Sequence, residues 1–329
     1  MRSTLVIGGT RNLGPELVVA LARLGDQVTV LNRGQTAAAL PGGVARLIAD
    51  RGDPEAVRRA LAGRSFDVVV DTTLYSGPDA HTIARLLGGR VGRYVMWSTG
   101  QVYLVRSGLT PPFREVDYEG PFAPEPPAAR PREAEQWRYG VHKRAAEDAL
   151  REAHEAAGFP AVILRMPMIH SVRDHYARIP NYVHRLLDGG PIVVPDEEAL
   201  PIRHVCAGDV IAATLAAAER PVAGSAFNIS QDESLAFESV LAEIAALCGS
   251  VLRLRRLPRA TLEALDLLPA CSPFSGRWMS VLDNHAARQA LGLAFTPMSA
   301  YLPGLVEAAR QRSAAEVPGY EQRPRELAL

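Results

Sequence analysis

The chain of 329 residues has few cysteines, no long apolar run and no excess of charge of either sign. Its 36 basic residues balance 36 acidic ones, so a nucleic acid or an anionic membrane surface is disfavoured as a partner and a small-molecule substrate is expected.

Cys206, Cys248 and Cys271 lack Cys-x-x-Cys spacing, which indicates buried thiols in a reducing compartment. Neither the cysteines nor the histidines have metal-ligand spacing, so we expect no metal site. Glycine appears too early for a signal peptide, and no run could span a bilayer; the sequence therefore predicts a cytoplasmic protein.

Lysine is the scarcest charged residue, because only one of the 36 basic side chains, Lys143, is a lysine. It lies four positions after Tyr139, and positions i and i+4 of a helix share one face, so phenol and ammonium can reach the same small volume. A nearby cation stabilises the phenolate and lowers the tyrosine pKa, which would make Tyr139 a general acid or base. Arginine is a poor substitute, since its planar fork cannot act as a compact point charge. The spacing predicts a catalytic Tyr/Lys pair, with coincidence as the alternative.

The hydrophobic pattern of the first half alternates short apolar runs with helical stretches. This rhythm predicts an α/β fold with a Rossmann-like, doubly wound parallel sheet over residues 1–165. Many prolines break the pattern over residues 104–135, which predicts a long loop or lid before the helix that carries Tyr139. The pattern becomes irregular over residues 166–329, which predicts a smaller mixed α/β C-terminal substrate lobe, interleaved with the last strands of the sheet. The polar tail after Ser313 is expected to fray.

A glycine-rich string follows the first predicted strand and opens the first helix: Gly8-Gly9-Thr10-Arg11-Asn12-Leu13-Gly14. This context favours a dinucleotide-binding loop, in which backbone amides at the helix start hold a pyrophosphate. A glycine turn without a ligand is the alternative.

Two arginines bear on the choice of dinucleotide. Arg11 stands where a middle glycine is common, and Asn32-Arg33 ends the second strand where an NAD enzyme places an acidic residue. These residues favour NADP, with NAD still possible and solvated arginines as the alternative. After the third strand, Asp50 and Arg51 could contact the adenine edge or form an ordinary turn.

The loop, the strand rhythm and the Tyr-x-x-x-Lys helix together resemble the short-chain dehydrogenase/reductase superfamily, in its extended or atypical branch of NAD(P)-dependent epimerase/dehydratase-like proteins. Four further segments are similar to that branch, namely 97–103, 164–169, 203–210 and 226–229. The opening Gly8–Arg11 string and residues 71–75 are similar to a less characterised subgroup, whose relatives include proteins similar to chloroplast stem-loop RNA-binding proteins.

The resemblance implies a set of site residues. The family's catalytic hydroxyl falls on Thr99, with Ser98 as the fallback, beside Tyr139 and Lys143; the lysine also binds the nicotinamide ribose. A strand-end hydroxyl that caps its own backbone is the alternative for Thr99 and Ser98. The implied cofactor contacts are Gly8, Thr10, Arg11, Asn12, Leu13, Gly14, Asn32, Arg33, Asp50, Arg51, Thr72, Lys143 and Met166. Substrate is expected between the carboxyl ends of the strands and the smaller lobe, at Tyr75, Gln101, Tyr103, Met168, His170 and Arg203.

The predicted function is that of an NADP(H)-dependent oxidoreductase or epimerase that transfers hydride at a secondary alcohol or ketone carbon. A nucleotide sugar is one candidate substrate, because such relatives hold a diphosphate with an arginine near the position of Arg203. Residues 166–171 depart from the usual family string, which leaves a ketoreductase of a secondary-metabolite pathway as an alternative. A non-catalytic dinucleotide- or RNA-binding protein is the other alternative, and a homodimer is expected by analogy alone.

Overall fold

A computed structural model describes residues 1–329. The strands are β1 (Ser3–Ile7), β2 (Gln27–Asn32), β3 (Ala45–Ile48), β4 (Phe66–Asp71), β5 (Val91–Thr99), β6 (Ala161–Met166), β7 (Ile169–His170), β8 (Ile192–Pro195), β9 (Val205–Cys206), β10 (Ala226–Asn228) and β11 (Leu254–Leu257). The helices are α1 (Gly14–Arg23), α2 (Pro54–Leu61), α3 (Gly77–Leu87), α4 (Gln101–Leu104), α5 (Pro131–Ala157), α6 (Arg178–Leu187), α7 (Ala207–Glu219), α8 (Phe237–Cys248), α9 (Arg259–Ala264), α10 (His285–Leu291), α11 (Met298–Gln311) and α12 (Arg323–Leu327). No helix combines the length and the apolar character that crossing a bilayer requires.

Seven strands form one parallel sheet in the order β10-β6-β5-β4-β1-β2-β3. Its buried strand residues, such as Leu5, Val69 and Met96, pack with α2, α3 and α5 on one face. A parallel sheet needs a crossover between neighbouring strands, and the predicted alternation of strands and helices supplies it. The Rossmann-like α/β fold is therefore confirmed. Parallel pairing also brings the carboxyl ends of β1, β4, β5 and β6 to one edge of the sheet.

The chain divides into two compact units. The first comprises residues 1–167, 207–230 and 282–294, and the second comprises residues 168–206, 231–281 and 295–329. The two later segments of the first unit carry α7, β10 and α10, and β10 extends the large sheet beside β6. The second unit has its own core, to which α6, α8 and α11 contribute Tyr182, Ile244 and Leu302, among others.

The expectation of a frayed C-terminal tail is wrong. The Glu326 carboxylate of α12 is fully buried and accepts hydrogen bonds from Arg185 Nε at 2.9 Å and from Arg323 Nη1 at 3.0 Å. A polar composition suggested solvation, but the charges of this tail are paired inside the second unit. A buried ion pair is costly to break once one partner is removed, so these contacts hold the tail in place.

The helix that carries Tyr139 begins earlier than predicted. Residues 104–130 do form a proline-rich loop, but Phe113 and Tyr118 within it are buried, and Glu115–Tyr118 forms a short 3-10 helix. Pro131 then opens α5, which runs for 27 residues. Proline breaks a helix interior but fits the first turn, where its missing N–H has no partner to lose.

Candidate active site

The glycine-rich loop folds tightly against the start of α1. Gly8 and Gly9 have φ values of +99° and +76°, which glycine adopts without steric cost. A Cβ atom added to Gly14 would lie 2.6 Å from the carbonyl carbon of Gly9, so a side chain there would force the loop open. Leu13, at the N-cap of α1, makes no side-chain cap. This is a cradle of the kind that holds a phosphate at a helix N-terminus.

The end of β2 carries no carboxylate. The Asn32 amide instead donates to the Gly8 carbonyl at 3.4 Å and accepts from the Gly34 amide at 2.8 Å. The Arg11 Nε donates to Thr36 Oγ1 at 3.0 Å, and the Arg11 and Arg33 side chains are exposed. Thr36 is not among the cofactor contacts that the sequence predicts, although it lies only three positions after Arg33.

The two residues after β3 take separate roles. Asp50 accepts from the Gly52 amide at 3.0 Å, which is an ordinary turn contact. The Arg51 guanidinium donates to Asp71, a fully buried carboxylate that also accepts from the Tyr94 hydroxyl at 2.6 Å. This placement fits the turn alternative for Asp50, whereas the Arg51 side chain is held by an ion pair with the end of β4.

Thr72 joins the glycine loop to the end of β4. Its backbone amide and its hydroxyl both donate to the Ile7 carbonyl at 3.0 Å, and its side chain packs directly against Gly8.

Lys143 occupies a buried position between two strand ends. Its Nζ donates to the carbonyls of Leu74 and Trp97, each at 2.7 Å, and only 2% of the residue is exposed. Burial lowers the pKa of Lys143 to about 8, while the charges of Asp71 and Glu147 act in the opposite direction. At neutral pH the side chain is therefore still mainly an ammonium.

Two tyrosines lie near this ammonium. The Tyr75 ring centroid is 5.1 Å from Lys143 Nζ and 6.3 Å from the Tyr139 ring centroid. Tyr139 is half-buried and Tyr75 is 49% exposed, so an aromatic surface beside the lysine is open to a ligand. The predicted Tyr139 and Lys143 are thus brought together, with Tyr75 beside them.

A glycine brings α5 close to the end of β5. A Cβ atom at Gly140 would lie 2.8 Å from the Gln101 carbonyl oxygen, so any side chain would push α5 away from α4. Thr99 precedes this contact, is half-buried and accepts from the Gln101 amide at 3.3 Å. Gly140 was not singled out in the sequence, although an unforced glycine inside a helix costs stability and so signals a structural need.

The two candidate hydroxyls face different surroundings. Ser98 is buried, and its hydroxyl donates to Glu147 of α5. Trp97, on the opposite face of β5, donates from Nε1 to Thr214 of α7 at 2.9 Å. The Ser98 hydroxyl is therefore already bonded to α5, which favours Thr99 as the hydroxyl of the candidate active site.

The remaining predicted residues of the first unit are mostly enclosed. Tyr103 is fully buried, and its hydroxyl accepts from Arg165 at 2.8 Å and donates to Asn228 at 2.9 Å. Gln101 donates to Gln136 at 2.9 Å, and Met166 is buried at the end of β6. Tyr103 is thus closed to a substrate here, because its phenol serves a buried network.

The predicted residues of the second unit are held by contacts within that unit. His170 is buried, and its Nε2 lies 2.8 Å from His204 Nδ1; burial lowers the pKa of His170 to about 3. Arg203 donates to the Gln231 carbonyl at 3.0 Å, and Met168 is partly buried against the core of that unit. His170 is a core side chain in this structure, closed to a substrate. No group of three or more His, Cys, Asp or Glu side chains suited to a metal ion is present.

Comparison with known proteins gives a family and relatives. Residues 82–230 match the NAD dependent epimerase/dehydratase family. The chain is 28% identical over 199 residues to 2'-dehydrokanamycin reductase of Streptomyces kanamyceticus, a match that covers 59% of this chain and 52% of that protein. It is 31% identical over 125 residues to a chloroplast stem-loop binding protein of 41 kDa of Arabidopsis thaliana, which covers 33% of this chain and 32% of that protein. The chain thus spans about half, or less, of the length of these relatives.

The fold is that of solved sugar-nucleotide enzymes. UDP-glucose 4-epimerase of Thermotoga maritima superposes with a TM-score of 0.72 at 19% identity, over 94% of this chain and 99% of that one. Tyr139 and Lys143 lie within the matched segment, whereas the glycine loop precedes it. The segment over residues 82–230, a little under half of the chain, is thus similar to the NAD dependent epimerase/dehydratase family.

Proposed function

We propose that this protein is an NADP(H)-dependent oxidoreductase that reduces a ketone, or oxidises the corresponding secondary alcohol, on a cyclic, sugar-like substrate. One observation carries the proposal: Lys143 Nζ is fixed between the Leu74 and Trp97 carbonyls, one helical turn after Tyr139 and at the end of the strand that carries Thr99. A buried cation next to a partly exposed phenol is the arrangement that proton transfer to a carbonyl oxygen requires.

The chemistry divides between the cofactor and the chain. When bound, the nicotinamide would supply or accept the hydride at the reacting carbon. The Thr99 hydroxyl would hold the substrate oxygen, and Tyr139 would donate a proton to that oxygen in reduction or remove it in oxidation. The Lys143 ammonium would stabilise the phenolate left after the donation. The tight Gly9–Gly14 approach at the start of α1 fits a pyrophosphate, and Gly8 packed on Thr72 fixes the same loop.

The preference for NADP rests on the end of β2. With no carboxylate there to repel it, a 2'-phosphate would meet the exposed Arg11 and Arg33 and the Thr36 hydroxyl. NAD would lose these charge-assisted hydrogen bonds.

Replacing Arg11 with alanine should weaken NADPH binding by about tenfold or more, because a hydrogen bond between charged groups contributes about 1.5–3 kcal/mol. NADH binding should change little. Dissociation constants from the quenching of tryptophan fluorescence would measure both. Arg23→Ala, which removes an exposed arginine from the last turn of α1, is the matched control. An equal loss of affinity for both cofactors would contradict the proposed role of Arg11.

Two observations support the reduction of a sugar-like substrate, namely the name of one relative and the position of one side chain. The relative named as a reductase of 2'-dehydrokanamycin acts, by that name, on a ketone of an amino sugar. The half-exposed Tyr75 ring lies beside Tyr139 and could pack against the C–H face of such a ring. The epimerase of Thermotoga maritima supports the fold alone, and nucleotide-sugar epimerisation is the second candidate reaction.

The test is to incubate the purified protein with NADPH and a panel of cyclic ketones, amino-sugar ketones and UDP-sugars. We expect loss of absorbance at 340 nm in proportion to the alcohol formed. In a parallel incubation of the UDP-sugars with NADP⁺ or NAD⁺, their interconversion without net formation of NADPH or NADH would establish the epimerase instead. If NADPH binds but none of these compounds reacts, the proposed function is wrong; tight, salt-sensitive RNA binding would then favour a binding protein.

A further inference from the structure

A chain of polar side chains lies buried behind the proposed catalytic residues, and the proposed reaction does not use it. Glu147 accepts from Arg165 Nη2 at 2.7 Å and Nε at 3.0 Å, and it accepts from the Ser98 hydroxyl. Arg165 continues the chain to the Tyr103 hydroxyl, and Tyr103 continues it to Asn228. All five residues are at most 5% exposed.

A buried ion pair is weak evidence for stability, because apolar side chains of the same volume are often as stable or more so. Arg165 and Glu147 lie on two different elements, β6 and α5, and their side chains are 3% and 0% exposed. We therefore expect this buried ion pair to have a role other than stabilising the fold.

Glu147 lies one helical turn after Lys143 on the same face of α5. Its hydrogen-bond partner Ser98 stands between Trp97, whose carbonyl accepts from Lys143, and Thr99. The carboxylate thus anchors the strand end that provides one of the two lysine acceptors and the proposed catalytic hydroxyl.

The charges that act on Lys143 come from three elements. Asp71 at the end of β4 and Glu147 on α5 favour the ammonium, while Arg51 after β3 and burial itself oppose it. The Tyr75 ring lies beside the lysine, and the Tyr139 ring lies next to that of Tyr75. Asp71 is bonded to Arg51 and Glu147 is bonded to Arg165, so each carboxylate has a cation beside it. Glu147 is the one that lies on the helix of the lysine, one turn away.

We propose that Glu147 is a positioning residue of the site: its carboxylate fixes the Ser98 end of β5 and supplies the negative charge that keeps Lys143 an ammonium. The effect on turnover rests on the proposed function, but the effect on the charge of the lysine does not.

The test uses the fact that Lys143 is the only lysine of the chain. Protein labelled with ¹³Cε,¹⁵Nζ-lysine will give one side-chain NMR signal, whose shift against pH reports the pKa of Lys143 directly. In Glu147→Gln we expect this pKa to fall by about one unit, because an opposite charge nearby favours the charged form by one unit or more. A folded Glu147→Gln protein with an unchanged lysine pKa would overturn the proposal.

The control removes a carboxylate from the next position of the same helix. Asp148 bonds to the Tyr118 hydroxyl at 2.8 Å and to Arg151 at 2.7 Å, and it is not among the charges that act on the lysine. Asp148→Asn should leave the pKa of Lys143 where it is. If Asp148→Asn produced the same fall as Glu147→Gln, the special role of Glu147 would be refuted.

Glu147→Gln leaves Arg165 with an unpaired buried charge, so this variant could fail to fold. Glu147→Gln combined with Arg165→Met removes both charges and also the anchor of Ser98, so its turnover should fall about tenfold or more; wild-type turnover in this folded protein would overturn the proposal.

Ser98→Ala separates anchoring from charge. It removes the hydrogen bond to Glu147 but keeps the carboxylate, so turnover should fall about tenfold or more while the pKa of Lys143 stays unchanged. Wild-type turnover in Ser98→Ala would refute the anchoring half of the proposal. If no ketone is reduced by the wild-type protein, the proposed function fails, and the lysine titration still decides whether Glu147 sets the charge.

Discussion

Tyr139→Phe is expected to lower turnover of the ketone substrate by roughly 10²–10⁴-fold, the usual contribution of a positioned general acid. Phenylalanine keeps the ring that lies 6.3 Å from Tyr75 and removes only the hydroxyl that would transfer the proton. The measurement is kcat from NADPH oxidation, and the dissociation constant of NADPH should stay within about twofold of the wild-type value.

Tyr176→Phe is the matched control, because Tyr176 is an exposed tyrosine of the second unit. It should leave kcat unchanged. Full turnover in Tyr139→Phe would rule out Tyr139 as the general acid, even if the protein proved to be a reductase.

Lys143→Arg should also remove most of the activity, by roughly 10²-fold, although it keeps the charge and uses the residue that this chain favours elsewhere. The ammonium is 2% exposed and lies 2.7 Å from each of two carbonyl oxygens. A guanidinium is larger and brings five donors in a fixed plane, so it must displace one of the strand ends or leave donors unpaired. The thermal midpoint should fall as well, since overpacking a buried site costs about 1–3 kcal/mol.

Arg138→Lys, an exposed exchange on the same helix, provides the reference for the activity and the thermal midpoint. If Lys143→Arg had the same activity and the same thermal midpoint as Arg138→Lys, the lone lysine would have no catalytic role.

The fold class followed from local patterns. Runs such as Leu5–Ile7 and Tyr94–Trp97 are apolar on both faces because helices cover both sides of a parallel sheet, and that signal is visible in any short window. The errors arose where a pattern has two physical meanings. The run of prolines predicts a loop that includes Pro131, which instead starts α5. The charges of the C-terminal tail predict exposure to solvent but pair with buried partners.

Spacing along one helix was enough to bring Tyr139 and Lys143 together, because i and i+4 share a face in any α-helix. Spacing could not choose between Ser98 and Thr99. That choice depends on Glu147, which is 49 residues away in the chain and meets Ser98 only when α5 packs behind β5. Three other contacts also join residues that are distant in the chain: Tyr103 with Arg165, His170 with His204, and Arg51 with Asp71. Composition and periodicity therefore sufficed for the fold and the Tyr/Lys pair, whereas the partners of each buried polar group depended on packing between distant segments, which no local pattern records.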